Sequence, residues 1–252
     1  MIKTYRVGRI RWLDVQSPDE KELTFLQKKF KFHPLDIEDC HSTYQRPKVE
    51  IHDKYRFAVL QIPVCQRTCF RVNMTELDVF WSDKLIVTVH YGDVPSILDI
   101  IESLKIAKNR RKLGTINGKR LFFELSNDLV LKIYPMLAHY RGVIDSIDKE
   151  MFQPNSRKIV EDINAVRRDL ILSQTNIRQL MPIFSQLEEF NKKAGDPIAE
   201  YWGEVLDKLN NLRDEFEDFQ EIVEGLNSSL ESLLNHRTSD IMKMLTIINV
   251  IV

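Results

Sequence analysis

Hydrophobic and polar positions alternate with a strand-like period of two in the first part of the chain and with a helical period in the last part. The change falls near Gly118. Residues 2–7 and 10–15 are short β-favouring runs. Ser17-Pro18-Asp19-Glu20 then reads as a helix start, with Ser17 as the cap, Pro18 at the first helical position and Glu20 closing a capping box. This helix is expected to run to about residue 31, where Phe32-His33-Pro34 interrupts it, and a short helix follows over residues 35–40. Val, Ile, Phe and Trp concentrate in residues 49–51, 57–64, 70–81 and 85–91, with a turn at Ser82-Asp83, which predicts a meander of strands. Pro95 opens a helix over residues 97 to about 108, before an exposed basic loop, Asn109-Arg110-Arg111-Lys112.

Beyond Gly118 three helical stretches follow, 119–152, 155–191 and 197–252, with kinks or breaks expected at Pro135 and Pro182. In the last, Trp202, Val205, Leu209, Leu212, Phe216, Phe219, Val223, Leu226, Leu230 and Leu233 alternate spacings of three and four, a coiled-coil seam. A single buried face in a compact bundle would give the same pattern. At 1.5 Å per residue, however, such a helix is roughly 84 Å long and must project from any globule this chain can build. Its final nine residues, 244–252, carry no charge. They read either as an apolar end buried in a soluble protein or, the favoured reading, as the first turns of a membrane helix, since about twenty residues are needed to cross a bilayer.

The fold class predicted is α+β, an α/β/α sandwich with a mixed, largely antiparallel sheet, followed by long helices that include a coiled-coil-like stalk. Three regions are expected: an α/β globule over 1–118, two long antiparallel helices packed on it over 119–196, and a stalk helix over 197–252.

Composition narrows the function. Eight glycines and nine prolines in 252 residues are too few for a turn-rich all-β fold. The segment from Pro197 carries four bases against eleven acids, so the remainder is mildly basic, and no continuous basic stripe of the kind nucleic acid needs is present. Cys40, Cys65 and Cys69 follow no signal peptide, which points to a reducing compartment, and Cys65 and Cys69 lack a nearby histidine pair for zinc. The six histidines show no paired metal spacing on a helix, and Asp36, Glu38 and Asp39 have Arg46, Lys48 and Glu50 nearby for structural ion pairing. No Gly-rich phosphate loop or nucleophile elbow suggests an enzyme.

Three motifs, His33-Pro34-Leu35-Asp36-Ile37-Glu38-Asp39, Arg46-Pro47-Lys48-Val49-Glu50 and Met242-Lys243-Met244-Leu245-Thr246-Ile247-Ile248, stand in this order ahead of and within the long last helix. Together they resemble the CorA family of magnesium and cobalt channels over nearly the whole chain, without the family's Gly-Met-Asn pore signature, which would lie beyond Val252. The resemblance implies a homopentamer on the cytoplasmic face of the membrane, in which five stalk helices line the axis and continue into the membrane. It implies gating by Mg2+, with Co2+ or Zn2+ as alternatives, bound between a stalk acid and an acid of the next subunit.

On that resemblance Glu204, within Tyr201-Trp202-Gly203-Glu204, takes the regulatory ligand role, with Asp207 one turn on. Asp128 is a further candidate, with a one-residue ambiguity against Asn127. Each has the ordinary reading of a solvated acid beside it. Ser239, Met242, Leu245 and Asn249 are placed on the pore side. The loop expected to supply the facing acid reads Val64-Cys65-Gln66-Arg67-Thr68, with Gln66 in place of a carboxylate, so the sequence departs from the family there. The other class open to this sequence is a soluble coiled-coil interaction protein with an α/β head.

Overall fold

The computed structural model describes residues 1–41, 45–65, 72–106, 108–109, 115–152 and 156–251. One six-stranded sheet is formed by β1 (Ile2–Val7), β2 (Ile10–Gln16), β3 (Lys48–Ile51), β4 (Arg56–Cys65), β5 (Val72–Trp81) and β6 (Leu85–His90), in the order β1-β2-β6-β5-β4-β3. Neighbours run antiparallel except β2 and β6, which pair in parallel, so the sheet is mixed as expected. The helices are α1 (Glu20–Phe30), α2 (Pro34–Asp39), α3 (Pro95–Ser103), α4 (Gly118–Leu131), α5 (Tyr134–Glu150), α6 (Ser156–Lys193) and α7 (Ile198–Ile251).

Alternation along the strands sends side chains into two cores. Phe57 and Val59 of β4 join Leu23, Leu26 and Ile37 of α1 and α2 on one face. Ala58 and Leu60 join Phe122, Leu170, Phe184 and Trp202 of the long helices on the other. The sheet is therefore covered on both sides, and the last four helices share one continuous core with it.

Local chemistry corrects two expectations. The α1 cap is Asp19, not Ser17: Asp19 Oδ1 accepts from Glu22 N at 2.7 Å while Glu22 Oε2 accepts from Asp19 N at 3.2 Å. Ser17 sits at φ +47°, in the left-handed region, and turns the chain out of β2 instead. Of the two internal prolines, Pro135 separates α4 from α5 by lying in the first turn of α5, where its missing N–H has no partner to lose. Pro182 lies inside an unbroken α6. Helix α3 stops at Ser103, short of the expected end.

The two upstream motifs build a buried polar knot under α2. Asp36, 3% exposed, accepts the Tyr55 hydroxyl at 2.6 Å and faces His52 Nε2 at 2.9 Å, and Lys48 holds Asp39 at 2.6 Å. Burial and the Asp36 hydrogen bond push the Tyr55 phenol up. Of the ion pairs expected between the two motifs, Lys48–Asp39 forms, whereas Asp36 is held by Tyr55 and His52, which lie outside them.

Candidate functional site

Helix α7 carries the candidate site, and its two faces differ from Trp202 to Leu234. The predicted seam is buried: Trp202, Val205, Leu209, Leu212, Phe216, Phe219, Val223 and Leu230 are each 5% exposed or less, with Leu226 and Leu233 partly covered. They pack on the chain's own helices, chiefly α6, rather than on a free coiled-coil partner. Each such side chain stabilises the packing by about 1.5–3 kcal/mol, which is what holds so long a helix to the globule. The cover ends near Leu234, and residues 235–249, about 22 Å of helix, are exposed all round, with Arg237 Nη2 donating to the Phe152 carbonyl at 3.3 Å.

Opposite the seam a second set of positions also alternates three and four: Glu204, Asp207, Asn211, Asp214, Asp218, Glu221, Gly225, Ser228, Ser232, Asn235, Ser239 and Met242, with Thr246 and Asn249 continuing it. All are exposed. This stripe joins Glu204 and Asp207, where a cation ligand was expected, to Ser239, Met242 and Asn249, where a pore face was expected. Leu245, 50% exposed, flanks it. The sequence pattern did not reveal it as one surface, because polar residues on a helix carry no signal until the buried face fixes the helix's rotation.

At its upper end the stripe is bordered by α4. Arg120 lies 4.1 Å from the centre of the Tyr201 ring and donates to Glu124, and Lys208 Nζ donates to Asn127 Oδ1 at 2.7 Å. Of the two adjacent candidates Asn127 and Asp128, it is Asn127 that contacts α7. Asp128 instead pairs with Lys132 at 3.4 Å, and Lys132 also holds Asp99 of α3. Among the described residues, Glu204 and Asp207 have no ion-pair or hydrogen-bond partner. An acid the pattern missed, Glu188 of α6, lies against Gly203, its carboxylate 3.5 Å from where a Cβ there would stand. Only the α6–α7 packing places it there.

The sequence candidates do not converge on one centre. Among the described residues no group of three or more His, Cys, Asp or Glu is placed to hold a metal ion, and Gln66 lies outside those residues. Two unpaired carboxylates one helical turn apart suit a hydrated hard cation, which needs only one or two carboxylates.

At the far end, Ile241, Met242, Met244, Leu245, Ile247 and Ile248 are each at least half exposed. Thr238 and Thr246 donate their hydroxyls to the helix's own carbonyls of Leu234 and Met242, both at 2.9 Å, so neither needs water. Among the described residues no helix is long and apolar enough to cross a membrane.

Residues 7–252 match the family model described as CorA-like Mg2+ transporter protein. The chain is 27% identical over 241 residues to the putative metal ion transporter YfjQ of Bacillus subtilis, covering 95% of this chain and 73% of that protein. It is 26% identical over 223 residues to the cobalt/magnesium transport protein CorA of Thermotoga maritima, covering 87% of this chain and 62% of that one. The CorA magnesium transporter of Methanocaldococcus jannaschii superposes with a TM-score of 0.81 at 18% identity, over 96% of this chain and 75% of that one, a likeness of fold. Because that family model matches residues 7–252 of its 252, this chain belongs to the CorA-like Mg2+ transporter family.

Proposed function

We propose that this chain is the cytoplasmic regulatory and stalk region of a divalent-cation channel that assembles as a homopentamer, with α7 lining the axis and its apolar end entering the membrane. The division into a globule over 1–118, a helical layer over 119–196 and a stalk from 197 belongs to the same reading. The observation that carries it is the exposed stripe of α7, which runs from unpaired acids at Glu204 and Asp207 to small and polar residues at Ser228, Ser232, Ser239 and Asn249.

In an assembly about an axis, Glu204 and Asp207 of neighbouring copies face like charges. At about 4 Å two unit charges cost about 4 kcal/mol at an effective dielectric of 20, so the carboxylates drive the subunits apart unless a cation lies between them. Mg2+ supplies that neutralisation when bound, at low affinity because it keeps several waters; Co2+ is a second hard-enough candidate. The chain's own part is to hold two carboxylates on a rigid helix, unpaired, and to transmit their separation along α7 to Ser239, Met242, Leu245 and Asn249. A divalent cation is also the transported species.

The test is flux through the membrane-reconstituted protein with Mg2+ varied on the side of the globule. Inhibition by that Mg2+ is expected to weaken in Glu204→Gln with Asp207→Asn, with calorimetric Mg2+ binding lost in parallel. Inhibition and binding unchanged in the double variant would remove both acids from the reading.

A further inference from the structure

We propose that the Lys132 ammonium is a tethered counter-cation that keeps divalent cations off Asp99 and Asp128, leaving the α7 acids as the place where cations act on this chain. The second half of that statement rests on the function proposed above; the first stands on the α3–α4 contact alone.

Asp128 and Lys132 are four residues apart on α4, the spacing that brings side chains together on one helix face. Asp99 comes from α3, so the two carboxylates approach the ammonium from different elements. Asp128 Oδ2 is shut off from solvent and makes no hydrogen bond. At 3.4 Å its compensation is the Lys132 charge, an ion pair rather than a well-formed hydrogen bond. Partial burial works against the ammonium, yet the Asp99 hydrogen bond and the charges of Asp128 and Asp99 raise the Lys132 pKa, so the lysine stays protonated between them at neutral pH.

Two carboxylates on adjacent helices, with no ammonium between them, offer a hydrated Mg2+ all the protein ligands it requires. A group tethered by a short flexible stem presents itself at an effective concentration in the millimolar range, comparable to the concentration at which weak Mg2+ sites respond. A divalent ion must therefore displace a partner that never diffuses away. Acceptors along α4 and beside it also have cations: Arg120 holds Glu124, Lys119 holds Asp196 of the α6–α7 connection, and Lys208 holds Asn127. By contrast Glu204 and Asp207 have no such cation among the described residues.

The experiment uses Mn2+, a paramagnetic stand-in for Mg2+, and follows backbone amide resonances of the whole chain. In the wild type the amides of Asp99, Ile100 and Leu129 are expected to keep their intensity as Mn2+ is added. In Lys132→Gln, and equally in Lys132→Met, the same amides are expected to lose it, and adding Asp128→Asn to Lys132→Gln is expected to restore it. Loss in the wild type, or retention in both single variants with the remaining resonances in place, overturns the proposal. Amides around Glu204 and Asp207 are read in the same spectra. If they stay sharp in every variant while Asp99 broadens in Lys132→Gln, the function proposed for α7 fails and the role of Lys132 stands.

Discussion

Gly118 and Ser82 meet backbone to backbone. A Cβ on Gly118 would stand 2.0 Å from the Ser82 carbonyl oxygen and 3.0 Å from that of Leu85, and Gly118 N donates to Asp83 O at 2.9 Å. The first residue of α4 is thereby seated on the β5–β6 turn, which fixes where the helical layer starts relative to the sheet. Gly118→Ala is expected to destabilise the fold by about 3 kcal/mol, the upper range for overpacking, since backbone cannot turn aside as a side chain can. Urea unfolding measures it, and an unchanged midpoint would show that the turn yields.

The seam and the free end of α7 should respond oppositely to truncation. Phe216 is fully buried with its ring against Tyr140, centroids 5.9 Å apart, so Phe216→Ala is expected to cost about 3–5 kcal/mol. Met242 is 59% exposed, and Met242→Ala should change chain stability by no more than about 0.5 kcal/mol. Equal losses would contradict the placement of the helix's two ends.

Asp78 gives a pH dependence of unusual sign. Burial, with Glu76 nearby, pushes its carboxyl well above the ordinary range, and its Oδ1 makes no hydrogen bond. A folded-state pKa raised above the unfolded value of about 3.9 means that the native state holds the extra proton, so this contribution is full at low pH and is lost as pH rises through the folded pKa. The loss has a slope of at most about 1.4 kcal/mol per pH unit. Urea midpoints measured against pH should therefore fall less on the alkaline side in Asp78→Asn than in the wild type. Parallel curves would mean that Asp78 ionises as freely folded as unfolded.

Capping separates the two residues that compete for the start of α1. Asp19→Ala removes the carboxylate that accepts from Glu22 N, leaves the residue-19 backbone N–H free to donate to Glu22, and is expected to cost about 1 kcal/mol. Ser17→Gly should leave stability unchanged or raise it, because glycine adopts φ +47° without a Cβ penalty. Thermal melts of the two variants decide, and a larger loss at Ser17 would return the cap to that residue.

Much of the architecture was legible before folding because it depends on local periodicity. The strands were found within a residue or two wherever they are described, since alternating apolar side chains need only the pleat to sort them onto two faces. The cap was misplaced because Ser17 and Asp19 are both good acceptors, and the choice turns on how β2 ends. Pro135 and Pro182 look alike in sequence, yet one starts a helix and the other lies inside one.

The seam from Trp202 to Leu233 and the apolar run at the end of α7 were determined by the sequence itself, through a period of three and four that burial enforces on any helix. What covers that seam was decided only by the tertiary structure, which packs it on α6 of the same chain and so turns Glu204, Asp207 and Ser239 outward together. The same holds for Asn127 and Asp128. Adjacent residues on a helix point about 100° apart, so one reaches Lys208 on α7 and the other Lys132, and only the placement of α3 and α7 around α4 tells which lysine each one meets.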